Sequence, residues 1–250
     1  MPGHWLLARM GKRVLRPGGR ELTMKIIDAL DINADDSVVE FAPGIGSTAQ
    51  LIFARKPQHY TGIDQNEEAV NHLASLTNNH RYNFINKNIT NSGLPGLCAS
   101  VVLGEAVLTM QTEERKEQII SEACRLLQRG GRYAIHEIAL RPDDIQNGMK
   151  NEIQQKLSEK IHVNARPLTT HEWTLMLNKC GFRIIKILTN PMHLLKLSRM
   201  IRDEGFMRAA GIAFRIATTP HAFKRVKGMR NVFDTYEHYM TAISIIAIKE

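Results

Sequence analysis

Apolar positions along this chain switch repeatedly between a two-residue and a three-to-four-residue rhythm. Leu22, Ile26, Ile27 and Leu30 recur at helical spacing and predict a helix over 21–30. The runs at 37–42 and 60–63 predict two strands, each followed by a helical stretch, over 49–55 and 67–76. A short third strand is expected at 83–85, and a fourth at 99–103 after the Leu94-Pro95-Gly96 turn. A long helix is predicted over 113–127, stopped by Gly130-Gly131, with a fifth strand over 132–138. Thr169 and Glu172 form a capping-box pattern that opens a helix ending at Cys180-Gly181. Residues 182–188 and 242–248 are β-like. Repeated strand–helix units predict a mostly parallel sheet with helices on both faces. The 53 residues between the last two strands are too many for a hairpin loop. Their helical spacing at Leu194, Leu197, Met200 and Ile201, and at Phe206, Ala209, Ala210 and Ala213, predicts an inserted helical cap. The expected division is an N-terminal helical segment (1–20), a core (21–189), a cap (190–240) and a last core strand (241–250). No internal repeat is visible.

The first strand runs into the segment richest in chemistry, Val38-Val39-Glu40-Phe41-Ala42-Pro43-Gly44-Ile45-Gly46, with Ser47 and Thr48 behind it. A strand that hands over to a helix through a glycine turn brings bare backbone N–H groups close to a ligand. The second strand delivers another acid, Asp64. Two acids at successive strand ends, with a glycine turn between them, suit a nucleoside whose other end is a cationic amino acid. The run Gly44–Ala49 also fits the dinucleotide fingerprint, with Asp64 about 20 residues further on. A nicotinamide-dependent dehydrogenase is therefore the competing reading. Glu40 weighs against it, because a carboxylate repels a pyrophosphate and attracts an ammonium.

Composition narrows the picture. A chain of 250 residues with 43% hydrophobic and 23% charged residues fits one large globular domain, or one with an insert. No apolar run approaches the roughly 18 residues of a membrane span, and no signal peptide is expected at the N-terminus. Three widely spaced cysteines, Cys98, Cys124 and Cys180, argue against a disulfide framework or a cysteine zinc site and predict a cytoplasmic protein. No metal-ligand cluster is visible. The net charge of +8 is uneven: residues 1–20 hold five basic residues and no acid, and residues 192–230 hold nine against Asp203 and Glu204. The remainder is net negative, so the basic charge concerns a partner or substrate rather than the fold. Leu6, Leu7, Met10 and Val14 share one helical face, and Arg9, Lys12, Arg13 and Arg16 another. This reads as a docked helix with a solvated basic face, or as an interfacial helix that would bring peripheral contact with a membrane surface.

Five motifs in order carry a family resemblance. They are Glu40-x-x-x-Gly44-x-Gly46; Asp64; Asn88 ahead of Leu94-Pro95; Val101-Val102-Leu103-Gly104-Glu105-Ala106; and Glu122-Ala123-Cys124-Arg125-Leu126-Leu127-Gln128-Arg129-Gly130-Gly131-Arg132. Over roughly 15–188, with the final strand, the chain resembles class I S-adenosylmethionine (SAM) dependent methyltransferases, most closely the small-molecule branch of the ubiquinone/menaquinone-biosynthesis type. Asn88 stands where the family usually carries Asp. The resemblance implies an α/β, Rossmann-like sheet of seven strands with the last antiparallel, and SAM as cofactor with S-adenosylhomocysteine as product. It implies cofactor contacts at Glu40, Ala42, Pro43, Gly44, Ile45, Gly46, Asp64, Gln65, Asn88, Ile89, Gly104, Glu105 and Ala106. In that picture Asp64 takes the ribose hydroxyls, Gln65 and Ile89 sandwich the adenine, Asn88 meets its amino group, and Glu105 or the Gly104 carbonyl holds the methionine ammonium.

Methyl transfer by in-line displacement needs a general base only when the acceptor must lose a proton. His136 and Glu137, near the end of the fifth strand, are the candidates, with a purely structural role as the alternative for each. Trp5 is either a packing residue or a cover over the cofactor site. The Met/Leu/Phe-rich cap, with Lys196, Arg199 and Arg202 at intervals of three, points to a small acceptor, apolar with an anionic portion. RNA is the second acceptor class, and a non-catalytic SAM-binding or membrane-surface protein the third reading. Nucleic acid is disfavoured: Gly104-Glu105-Ala106-Val107 replaces the Asn/Asp-Pro-Pro-aromatic motif of base-amino methylation, and no cysteine lies in the fourth- or fifth-strand motifs.

Overall fold

The computed structural model describes residues 1–192 and 194–250. They form one eight-stranded sheet. Strands β1 (Ser37–Phe41), β2 (His59–Asp64), β3 (Tyr82–Asn86), β4 (Ala99–Glu105) and β5 (Leu127–Leu140) are parallel. The two-residue β6 (Leu168–Thr169) lies beside the end of β5. β7 (Phe182–Asn190) occupies the edge, and β8 (Met240–Lys249) runs antiparallel between β5 and β7. The spatial order is β3-β2-β1-β4-β5-β8-β7. β1 therefore has its sequence successor on one side and β4 on the other. This is the reversal of winding at which open α/β sheets leave a crevice beyond the C-terminal strand ends.

Alternation along the central strands explains why both faces are covered. Val38, Val101 and Leu103 belong to one apolar cluster, which also takes Leu22, Ile26, Ile27 and Leu30 of α2 (Gly19–Leu30). Val39 and Val102 point the other way, into a second cluster with Ile119, Ile120 and Ala123 of α5 (Glu113–Leu126). Successive strand residues face opposite sides, so unbroken apolar strands demand two covering layers. The remaining core helices are α3 (Ser47–Phe53), α4 (Glu67–Ala74), α6 (Asn147–Ile161) and α7 (Thr170–Lys179). The capping box that opens α7 is present: Thr169 Oγ1 accepts from Glu172 N–H, and Glu172 accepts from Thr169 N–H.

Three elements differ from the sequence expectation. α5 stops at Leu126 rather than at the glycine pair, because β5 already begins at Leu127 and pairs there with Ala99. α6, fifteen residues long, is absent from the periodicity reading; it buries only Ile153 and Leu157, so its apolar stripe is too thin to stand out. The N-terminal segment is helical only as α1 (Gly3–Arg9), and its basic residues are not all solvated. Lys12 and Arg16 are buried, Lys12 with its Nζ 3.8 Å from Glu204.

Between β7 and β8 the described residues form three α-helices, α8 (Leu197–Glu204), α9 (Phe206–Thr218) and α10 (Pro220–Thr235), and a single 3-10 turn at Glu237–Tyr239. α1 packs on α10 through Leu6, Leu7, Ala222 and Met229, while Met10 joins Met200, Ala209 and Ile212 of the neighbouring helices. The Arg215 Nε donates to the Met10 carbonyl at 2.8 Å, and Glu204 accepts from the Arg13 and Val14 N–H groups. The N-terminal segment and the cap thus form one layer over the strand ends.

Candidate functional site

The parallel register brings three acids to one edge. Glu40 pairs in β1 with Gly62 and Leu103, Asp64 ends β2, and Glu105 ends β4 opposite His136 of β5. All three line a cavity of about 570 Å³ at the winding reversal, within the range of small-molecule sites.

The glycine turn forms the floor. Gly44 and Gly46 both adopt left-handed backbone, with φ of +57° and +76°. A Cβ on Gly46 would lie 2.6–2.7 Å from Leu76 and Leu73, so that glycine permits close packing of the turn on α4. A Cβ on Gly44 would meet only the Ala42 carbonyl, at 4.0 Å, and is otherwise in open space, so that glycine keeps space clear for a ligand. Ala42 and Ala106 flank the site at φ +51° and +55°, where residues with a Cβ are strained. Asp64 fixes the turn: its Oδ2 accepts from Gly44 N–H at 3.0 Å and its Oδ1 from Asn66 N–H at 2.9 Å.

Glu40 is 3% exposed, and the Tyr60 hydroxyl donates to its Oε2 at 2.6 Å. Burial pushes its carboxyl up to about 8, the Tyr60 hydrogen bond opposes this, and the charges of Glu105 and Asp64 add to it. Glu105 is the opposite case. Burial again raises it, but Arg16, His136 and the Thr48 hydroxyl outweigh that and hold it at about 2. Its Oε2 lies 3.1 Å from the Arg16 Nε and accepts from Thr48; its Oε1 accepts from the Thr23 hydroxyl at 2.7 Å and faces the His136 Nδ1 at 2.6 Å.

His136 is fully buried and does not line the cavity. Its Nε2–H donates to the Pro17 carbonyl at 2.5 Å while Nδ1 is held by Glu105. Both ring nitrogens are engaged in tying the N-terminal segment to the sheet. That geometry is one of positioning, in place of the proton transfer expected from the sequence. Glu137 does reach the cavity wall, yet its oxygens accept from the N–H groups of Val107, Leu108 and Thr109 at 2.7–3.0 Å. It braces the loop after β4, and burial raises its carboxyl despite those hydrogen bonds.

Of the remaining sequence-predicted contacts, Ala42, Pro43, Ile45, Gln65 and Ala106 line the cavity. Gly46 supports its floor from behind, and Gly104 lies beneath Phe41 and Val107. Asn88 and Ile89 are not brought to the wall: Asn88 Oδ1 accepts from Thr90 N–H and the Arg115 Nη2, and Ile89 is buried in the core. Arg199 and Arg202 are likewise not at the cavity; both pair with Glu21, and Arg199 also donates to the Gly18 carbonyl. Lys196 pairs with Glu237. Arg199 and Arg202 staple the cap to the core and Lys196 pairs within the cap, so none of the three lines the cavity.

Periodicity alone did not disclose the second half of the cavity. Beyond the acids it is walled by Trp5 and Leu7 of α1, by Ile161 at the end of α6 and Val163 after it, and by Met192, Leu194, Met229 and Phe233 of the cap. His4, beside Trp5, also lines the cavity, and burial holds its imidazole below the usual value. Arg13 sits exposed at the rim. The apolar residues after Gly3 and around 229–233 were visible in the sequence, but their meeting is a long-range event. No group of three or more His, Cys, Asp or Glu placed to hold a metal occurs among the described residues.

A sheet wound this way, with an acid-and-glycine cradle at its reversal, defines the class I SAM-dependent methyltransferases, and the chain belongs to that family. A methyltransferase-domain profile matches residues 38–131. An uncharacterized protein of Haemophilus influenzae is 31% identical over 254 residues, covering 99% of this chain and 98% of its own length. Among solved structures, phosphoethanolamine N-methyltransferase 2 of Haemonchus contortus, in complex with phosphomonomethylethanolamine and S-adenosylhomocysteine, superposes with TM-score 0.74 at 14% identity; the match covers 99% of this chain and 57% of that one. Mycolic acid cyclopropane synthase CmaA1, complexed with S-adenosylhomocysteine and CTAB, gives 0.71 at 14% identity, covering 92% and 83%. The [4+2]-cyclase SpnF gives 0.69 at 16% identity, covering 92% and 80%. At these identities the likeness is one of fold.

Proposed function

We propose that this chain binds SAM in the acid-and-glycine half of the cavity and transfers its methyl group to a small apolar acceptor in the other half. The observation that carries this reading is the continuity of the two halves within one cavity. Cleared space at Gly44 and a buried carboxyl at Glu40 fit the amino-acid end of the cofactor, and Asp64 at the end of β2 fits its ribose hydroxyls. A pyrophosphate beside Glu40 would oppose its ionisation, whereas an ammonium favours the charged form, so the dinucleotide reading is disfavoured. Bound there, SAM supplies an electrophilic methyl group that an acceptor lone pair takes as the carbon–sulfur bond breaks.

The chain's own residues position and desolvate. Glu105 is saturated by Thr23, Thr48, Arg16 and His136, so it organises the N-terminal segment as a wall and leaves Glu40 to meet the cationic end. Where the acceptor must lose a proton, His4 is placed to take it, being neutral near pH 7 and on the cavity wall beside Trp5. The wall of Trp5, Leu7, Met192, Met229 and Phe233 suits an apolar body, and Arg13 at the rim suits an anionic portion. The phospho-substrate of the Haemonchus contortus enzyme and the lipid named for CmaA1 are of the same broad kinds. An apolar acceptor would also bring the protein into peripheral contact with a membrane surface. The three free cysteines fit a cytoplasmic setting, and no helix among the described residues is long and apolar enough to cross a membrane.

The fold also serves a cyclase, so turnover is the test. SAM with a tritiated methyl group is incubated with the protein and metabolite, lipid and RNA extracts in turn. Label in a metabolite or lipid fraction is expected. Label confined to RNA overturns the acceptor class, and cofactor binding without label in any fraction overturns catalysis.

A further inference from the structure

Among the described residues eleven large hydrophobic side chains are exposed, and six of them lie between residues 197 and 223. They are Leu197, Ile201, Phe206, Met207, Phe214 and Phe223. Phe206, Met207 and Phe214 of α9 are 69%, 82% and 69% exposed. At helical periodicity these three fall, with Ala210 and Ala217, within a sector of about 120°. The opposite side of α9 is already satisfied, since Ala209 and Ile212 pack with Met200. α9 is therefore apolar on both sides, which a water-facing helix has no reason to be.

The charges around this stripe have one sign. Exposed Arg208 lies on α9 beyond the edge of the stripe, Arg215 is engaged with the Met10 carbonyl, and Lys224 and Lys227 follow Phe223 on α10. The two acids of the region are turned inward: Asp203 is buried and accepts from Arg20 N–H, and Glu204 holds the Arg13 and Val14 N–H groups. Exposed phenylalanines set among unopposed cations complement the anionic headgroups and acyl chains of a bilayer. A second copy of this chain is a poor occupant, because a two-fold contact would set one cationic rim against another.

We infer that the outer face of α9, with Phe206, Met207, Phe214 and Phe223 inside a rim of Arg208, Lys224 and Lys227, is a docking surface for an anionic lipid bilayer. The same layer has its other side on the cavity. α10 carries Phe223 on the surface and Met229 and Phe233 on the cavity wall, and Arg215 holds the segment that carries Trp5 and Leu7. Docking thus places the apolar half of the cavity directly behind the membrane, where a bilayer-dissolved acceptor is concentrated. That last step rests on the methyl-transfer reading; the lipid contact does not.

The test is co-sedimentation of the full chain with vesicles of phosphatidylcholine alone, or of phosphatidylcholine with phosphatidylglycerol. Binding is expected to the anionic vesicles only and to fall with salt. Phe206→Ser with Phe214→Ser lowers it by about tenfold or more per phenylalanine, and Lys224→Gln with Lys227→Gln by about fivefold per charge. Both variants keep the thermal midpoint and the affinity for S-adenosylhomocysteine, measured on the same samples. Lack of binding to anionic vesicles, or undiminished binding by the phenylalanine variant, overturns the docking surface. A dimer in sedimentation velocity that the phenylalanine variant dissociates assigns the face to self-association and overturns it too. Vesicle binding without any S-adenosylhomocysteine affinity leaves the surface standing and removes the cofactor reading.

Discussion

Cofactor binding is predicted to release a proton from Glu40. With its carboxyl at about 8 in the free protein, this group is mostly protonated at pH 7. An ammonium or sulfonium beside it favours the charged form, so binding drives ionisation. One pKa unit corresponds to about 1.4 kcal/mol, so the ionisation costs roughly that much at pH 7 and roughly twice that at pH 6. The Glu40-dependent part of the affinity therefore rises about tenfold per pH unit from 6 towards 8 and levels off above that. The assay is isothermal titration calorimetry with S-adenosylhomocysteine in buffers of different ionisation enthalpy, which counts protons released. Because the ligand's own amino group titrates in the same range, the decisive quantity is the difference between wild type and Glu40→Gln. Wild type is expected to release close to one more proton at pH 7, and the variant to lose most affinity at pH 9. Equal proton counts, or parallel pH dependences, would refute the role assigned to Glu40.

Four further outcomes follow from the geometry. Gly46→Ala forces a left-handed alanine, costing about 1–2 kcal/mol, and meets Leu73 and Leu76, so thermal unfolding shifts markedly. Gly44→Ala fills cleared space instead, so its larger loss is in cofactor affinity measured by calorimetry. His136→Ala breaks a buried, charge-assisted network and is expected to cost about 3 kcal/mol in chemical denaturation, while the pH dependence of kcat keeps its shape; His4→Ala alters that shape instead, removing a limb on the acid side. Glu105, held near 2, stabilises the folded state above its unfolded value of 4.5, and that contribution is lost as pH falls from about 4.5 towards 2. Acid titration followed by tryptophan fluorescence should therefore report the environment of Trp5 loosening in that window, and Glu105→Gln should flatten the transition.

The core was readable because its signals are local. Unbroken apolar runs such as Val38-Val39 and Val101-Val102-Leu103 specify buried parallel strands, and the glycine turn after Glu40 carries its own backbone requirement. What the sequence obscured depends on partners far along the chain. Nothing local says that Arg16 will reach Glu105 or that His136 will hold the Pro17 carbonyl, yet these contacts turn two expected actors into anchors. Arg199 likewise looks like an acceptor-binding cation at intervals of three, and folds onto Glu21 and Gly18 instead. α6 was missed because a helix that buries two side chains leaves little periodic trace.

The proposed role of Glu40, Asp64 and the Gly44–Gly46 turn is to cradle a cationic sulfur nucleoside. Its most direct test is a calorimetric titration of the purified chain with SAM, S-adenosylhomocysteine and a nicotinamide dinucleotide at pH 8. One-to-one binding of the first two, weakened in both Glu40→Gln and Asp64→Asn, with no heat from the third, is the predicted result. Heat from the dinucleotide alone would contradict it.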